Sequence, residues 1–112
     1  MFALTLLLLG AWTTATAVRA QDFYLASNGV TVLCPNANNL ATGVVNGVEY
    51  TKRNVDQIRL LVRNDDFRPL ETTCTSGITS MSRLFKDKRL FDADIRSWDV
   101  SMVTSMVDMS VN

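Results

Sequence analysis

Ser76-Gly-Ile-Thr-Ser-Met-Ser-Arg-Leu-Phe85 and Ser101-Met-Val-Thr-Ser-Met-Val-Asp-Met-Ser110 are two copies of one pattern set 25 positions apart. Ser76/Ser101, Thr79/Thr104, Ser80/Ser105 and Met81/Met106 are identical, and Ile78/Val103 and Leu84/Met109 keep an apolar group in phase. A repeat of roughly 20 to 29 residues is one supersecondary unit that cannot bury its apolar side alone and must stack on a neighbour. The pattern therefore argues for a binding scaffold and against a catalyst.

Between and around the two copies, apolar residues recur at Ile78, Met81, Leu84, Phe85, Phe91, Ile95, Trp98, Val100, Val103 and Met106. Their spacings mix three, four and two, which suits neither a long helix nor a long strand. We read them as the repeat core, with a helical turn over Ser80–Lys86, a strand over Ser97–Val100 and a second helical turn from Thr104 to Met109.

Upstream of the repeats the signals are more conventional. Asn54 precedes Val55, Ile58, Leu61 and Val62, an apolar stripe at helical spacing, and Gln57 stands where a capping box needs it. The helix should end near Asn64, because Asp65-Asp66 oppose the dipole and Pro69 cannot continue the ladder. Arg59 and Arg63 would then be solvated. Further back, Asn46-Gly47 sits between short β-branched runs and predicts a tight hairpin. Ser27-Asn28-Gly29 does the same between Phe23–Ala26 and Val30–Leu33, and Pro35–Asn39 is a polar loop.

The chain opens Met1-Phe-Ala-Leu-Thr-Leu-Leu-Leu-Leu-Gly-Ala-Trp12 and reaches small residues at Val18 and Ala20, the pattern of an export signal cut before Gln21. Its apolar block is too short to span a bilayer, which takes about 20 apolar residues. Removal of residues 1–20 leaves 92 residues with ten Lys plus Arg against eleven Asp plus Glu. That near balance carries no electrostatic footprint for nucleic acid. The two cysteines of an exported chain, Cys34 and Cys74, are expected to form one disulfide. With two distant Cys and no His, no zinc site is expected.

The segment Cys74 to Met106, C-T-S-G-I-T-S-M-S-R-L-F-K-D-K-R-L-F-D-A-D-I-R-S-W-D-V-S-M-V-T-S-M, resembles the BspA-like leucine-rich-repeat surface proteins. Phe85, Phe91, Asp94, Ile95, Trp98, Asp99, Val100, Ser101, Val103, Thr104 and Met106 stand in register with that family's repeat. The upstream N-G-V-T-V-L-C and G-V-V-N-G-V-E-Y-T stretches look like the cap that precedes such repeats. The resemblance implies a secreted or cell-surface scaffold acting by adhesion or protein contact, without cofactor. Asp92 departs from it, standing where the family usually has Asn. The second unit also ends in Met109-Ser110-Val111-Asn112, where the family would continue.

The expected architecture is thus α+β. An export signal at 1–20 is followed by a hairpin and helix cap at 21–73, then by the start of a leucine-rich-repeat-like solenoid at 74–112, with one complete and one truncated unit. The expected function is surface recognition of protein or glycan by a fragment of a longer repeat protein. The alternatives are a small disulfide-stapled secreted effector or inhibitor and, more remotely, a carboxylate hydrolase. An unfinished second repeat further predicts that residues 101–112 stay unordered in a monomer and favour self-association.

Four aspartates, Asp87, Asp92, Asp94 and Asp99, could supply calcium oxygens or a glycosidase-like carboxylate pair. They lack the spacing of a calcium loop, and Asp94 and Asp99 better suit turn caps. Trp98 and the methionines are assigned to packing. Lys86-Asp87-Lys88-Arg89 is an outer turn that could meet an acidic partner.

Overall fold

The computed structural model describes residues 22–107. The expected export signal at 1–20 and the last positions of the second repeat, including Met109, lie outside the described residues.

Two hairpins open the fold. Strands β1 (Tyr24–Leu25) and β2 (Val32–Leu33) pair antiparallel, with Tyr24 opposite Leu33. Here the turn is looser than the tight reversal expected. Gly29 supplies a positive φ of 77°, whereas Asn28 contributes its side chain, whose Oδ1 accepts from Val30 N and Thr31 N at 2.9 Å each. β3 (Thr42–Val45) and β4 (Val48–Lys52) form the second hairpin around Asn46-Gly47, with φ of 51° and 81°. Those two left-handed residues match the right-handed strand twist, as the sequence predicts.

Gly43 of β3 is required for a different reason. The Phe23 ring, buried at 3% exposure, lies where a side chain at 43 would begin. Phe23 then leads a small core with Val32, Val45, Cys34 and Cys74. Gly43→Ala should cost roughly 1–3 kcal/mol, because a fully enclosed ring cannot yield to a new methyl. Urea unfolding with an unchanged midpoint would refute this account.

Helix α1 (Val55–Arg63) follows the sequence reading closely. Asn54 Oδ1 accepts from Gln57 N at 2.9 Å, and Gln57 Oε1 accepts from Asn54 N at 2.8 Å. Its end is made by the backbone more than by charge. Asp65 turns left-handed at φ 56°, its N–H reaches Val62 O, and Asp66 N–H reaches Leu61 O. These are the two bonds of a Schellman cap. A 3-10 turn, Arg68–Thr72, leads into β5 (Thr73–Cys74), which pairs parallel with β4, Thr51 opposite Thr73.

After β5 the chain continues as turns and irregular backbone without further strands or helices among the described residues. The helical turn expected over Ser80–Lys86 does not form, and that expected from Thr104 is absent as far as Val107, the last described residue. Arg83 and Asp87 have positive φ, 61° and 66°, which breaks a right-handed turn, and the N–H groups of Met81 and Arg83 go to Ser105 O and Val107 O. Together with Thr104 N to Thr79 O and a parallel bridge between Ser80 and Ser105, these bonds join the two repeat copies side by side. Residues 101–107, expected to lack order, are thereby held on the first copy. The strand expected over Ser97–Val100 is also absent, because Asp99 N bonds the Thr75 hydroxyl in place of a backbone carbonyl.

The larger core gathers Ile58, Val62 and Leu70 with Ile78, Met81, Leu84, Phe85 and Trp98, and Phe91, Ile95 and Val103 pack on it half-buried. Val100 and Met106 do not belong to it, each being 45% exposed. Met81 is enclosed in the cluster that includes α1, whereas its repeat equivalent Met106 lies one coil further from that helix.

Candidate functional site

Polar side chains link each coil to the next at a nearly constant offset. Thr75 Oγ1 donates to Asp99 O at 3.0 Å across 24 residues, and Ser76 Oγ donates to Asp99 Oδ2 at 2.8 Å across 23. The same offset recurs one step earlier. Arg59 donates to Ser82 O at 3.1 Å, Lys88 to Asp65 Oδ1 at 2.7 Å, and Asp94 N to Glu71 Oε2 at 2.9 Å, each across 23 residues. Side chains of the segment containing α1 and the 3-10 turn thus meet residues 23 positions further on, although its sequence does not match the repeat.

The first hairpin is fastened to this stack by a buried latch. Cys34 and Cys74 are disulfide-bonded with their Cα atoms 6.4 Å apart, Cys34 N donates to Ser76 Oγ at 2.9 Å, and Val32 N donates to Ser97 O at 2.9 Å. Asp99 is the hub. Burial raises the pKa of its carboxyl, but the Ser101 hydroxyl and N–H and the Ser76 hydroxyl bond the ionised form and leave it lowered overall. Three donors of the protein itself, the Ser76 hydroxyl and the Ser101 hydroxyl and N–H, thus bind this carboxylate.

A cleft of about 440 Å³ lies between the first hairpin tip, β4 and the second coil, lined by Val30, Val48, Tyr50, Glu71, Asp94, Arg96 and Ser97. Its charges are already paired internally. Arg96 clamps Asp94 through Nε and Nη2 at 2.7 to 3.2 Å, while Arg68 holds Glu71 at 3.0 Å and Asp92 at 2.9 Å. Hydrogen bonds from the Arg96 side chain and backbone hold the Asp94 carboxyl at about 2, against an ordinary 3.8.

A depressed carboxyl pKa contributes stability that is complete above the unfolded value and disappears as pH falls through the folded value. For Asp94 the window runs from 3.8 down to about 2. A carboxyl carbon NMR titration should show a midpoint near 2 for Asp94, moving back toward 3.8 in Arg96→Gln. An unshifted wild-type midpoint would contradict the clamp.

A second, smaller cleft of about 220 Å³ runs between α1 and the turn one coil later. It is lined by Arg59, Arg63, Arg83, Lys86 and Lys88, over Val62 and Leu84. Lys88 also donates to Arg63 O at 3.4 Å, on the last turn of the helix. Of the cations expected to be solvated, Arg59 and Lys88 are thus half-buried and bonded, while Arg63 and Lys86 are exposed.

The four aspartates are dispersed. Asp92 points outward to Arg68, so its difference from the usual Asn falls on the surface. Asp94 Oδ1 accepts from Arg96 N, and Asp99 Oδ1 accepts from Ser101 N, each a cap on its own turn. Asp87 sits exposed on a left-handed bend. Among the described residues no group of three or more His, Cys, Asp or Glu could hold a metal ion. No described helix is long and apolar enough to cross a membrane. Sequence reasoning missed Thr75, Ser76 and Glu71, whose only signal is the offset of 23 or 24 residues to a partner.

Comparison with known proteins gives one family. No curated protein and no solved structure matches the chain. Residues 53–111, starting immediately before the cap of α1 and running through both repeat copies, match the family described as "Mycoplasma protein of unknown function, DUF285", and the chain belongs to that family.

Proposed function

We propose that this chain is a secreted or cell-surface contact module, the opening of a BspA-like leucine-rich-repeat scaffold that works by adhesion to protein or glycan and not by catalysis. The observation that carries this reading is the stack itself. Bonds spaced at 23 to 25 residues run from the α1 segment to the first repeat copy and from there to the second. The family match spans the same three segments. Stacked coils form an extended surface whose outer residues are free to contact a partner, the use to which repeat architectures are suited. The disulfide fits an oxidising, external location.

The test has two parts. Protease treatment of intact cells should remove the protein, and the purified oxidised protein should bind saturably to an array of matrix proteins and cell-surface glycans. Reduction of the Cys34–Cys74 bridge should weaken that binding. Protection from protease in intact cells, or absence of binding on every surface, would overturn the reading.

A further inference from the structure

We propose that the cleft between α1 and the turn one coil later binds a polyanionic glycan, its sulfates or carboxylates meeting Arg59, Arg63, Arg83, Lys86 and Lys88. This names the partner of the contact module proposed above and rests on that reading. The chain as a whole carries eleven Lys plus Arg and eleven Asp plus Glu, so a cationic surface cannot arise from overall excess. Five of those eleven cations nevertheless line this one cleft, and no carboxylate of the described residues lines it. One of them, Lys88, bonds the exposed Asp65 at 2.7 Å.

The cations come from two segments, helix α1 and the turn over residues 83–88, so the cleft offers several cationic groups side by side. That arrangement fits a chain of regularly spaced anions better than a single phosphate. Arg59 is held by Ser82 O through one N–H, which orders the guanidinium and leaves further donors for the planar, two-point recognition of sulfate or carboxylate. Arg63 and Lys86 are exposed and form no ion pair among the described residues, so binding an anion breaks no existing pair of theirs.

The lining also argues against other polyanions. It contains no aromatic ring on which a nucleic-acid base could stack. Its two apolar members, Val62 and Leu84, are each 3% exposed and form the floor, leaving no wedge within the cleft to enter a lipid surface.

The test uses the purified, oxidised protein with heparin, fully desulfated heparin, a single-stranded oligonucleotide, and phosphatidylcholine vesicles with and without phosphatidylserine. Heparin should bind with an affinity that falls as salt rises. Arg63→Gln combined with Lys86→Gln should weaken it about tenfold and flatten the salt dependence, since fewer counterions are released. Arg68→Gln combined with Arg96→Gln removes the same charge from cations that are already paired, and should leave heparin affinity within about twofold. Near-UV circular dichroism checks that each variant is folded, and Lys86→Glu alone should act in the same direction. Absence of heparin binding, equal loss in the two double variants, or equal binding of desulfated heparin would overturn the proposal. So would tighter binding to the oligonucleotide or the phosphatidylserine vesicles. If heparin binding fails while binding on the array persists, this cleft is excluded and the contact module stands.

Discussion

Replacing Cys34 and Cys74 together by alanine should lower stability by roughly 2–4 kcal/mol. The bridge closes a separation of 40 residues, for which the loss of denatured-chain entropy corresponds to about 4 kcal/mol at most. Both cysteines are completely buried, and they join the first hairpin to the rest of the fold beside the bonds from Cys34 N to Ser76 Oγ and from Val32 N to Ser97 O. β1 and β2 contribute two residues each, and a hairpin so short is not stable by itself. Small domains have only about 5–15 kcal/mol in total, so the melting temperature should fall by roughly 10–20 °C. Amide exchange at Val32 should accelerate more than at Ile58, which sits in the other core. Thermal unfolding within about 2 °C of the native protein would show that the latch holds without its sulfurs.

Trp98→Ala should be at least as damaging, costing roughly 3–5 kcal/mol. The indole is 5% exposed, stands 5.9 Å from the Phe85 ring, and donates Nε1 to Leu70 O at 2.9 Å. Phe85 in turn stacks on Phe91 at 4.1 Å, and Phe91 meets Phe67 edge-on at 5.2 Å. One side chain of the second coil thereby bonds the 3-10 turn and completes an aromatic run that crosses three successive segments. Trp98→Phe separates the contributions. It keeps most of the apolar contact and removes one of two donors to Leu70 O, the Thr73 N–H remaining, for a cost of roughly 1 kcal/mol. Urea unfolding followed by circular dichroism measures both. Equal destabilisation by Phe and Ala would mean that the hydrogen bond, and not packing, dominates at this position.

Local chemistry was legible in the residues themselves. The helix from Asn54 to Asn64 could be read from its apolar stripe and capping box, and the second hairpin from Asn46-Gly47, because caps and tight turns are decided by neighbours a few positions apart. The disulfide followed from cysteine count and export, and five of the ten proposed core residues, Ile78, Met81, Leu84, Phe85 and Trp98, are fully buried. The conformation of the repeat was less legible. Left-handed residues at Arg83 and Asp87 are not ones that composition would select, and at Arg83 the backbone N–H is committed to Val107 O of the neighbouring copy.

By itself, then, the sequence determined where the helix begins and ends, where the second hairpin turns, which cysteines pair, and that two copies of one unit lie 25 residues apart. Tertiary structure alone decided that the non-repeating α1 segment lies against the first repeat copy and the segment after it, where Arg59, Asp65 and Glu71 each find a partner 23 residues away. It also decided that Val100 and Met106 face outward and that five cations share one cleft. The physical reason is the same in each case. Burial and charge clustering are properties of what lies against a residue, and in a stack the neighbour is supplied by another coil at a distance no local pattern encodes.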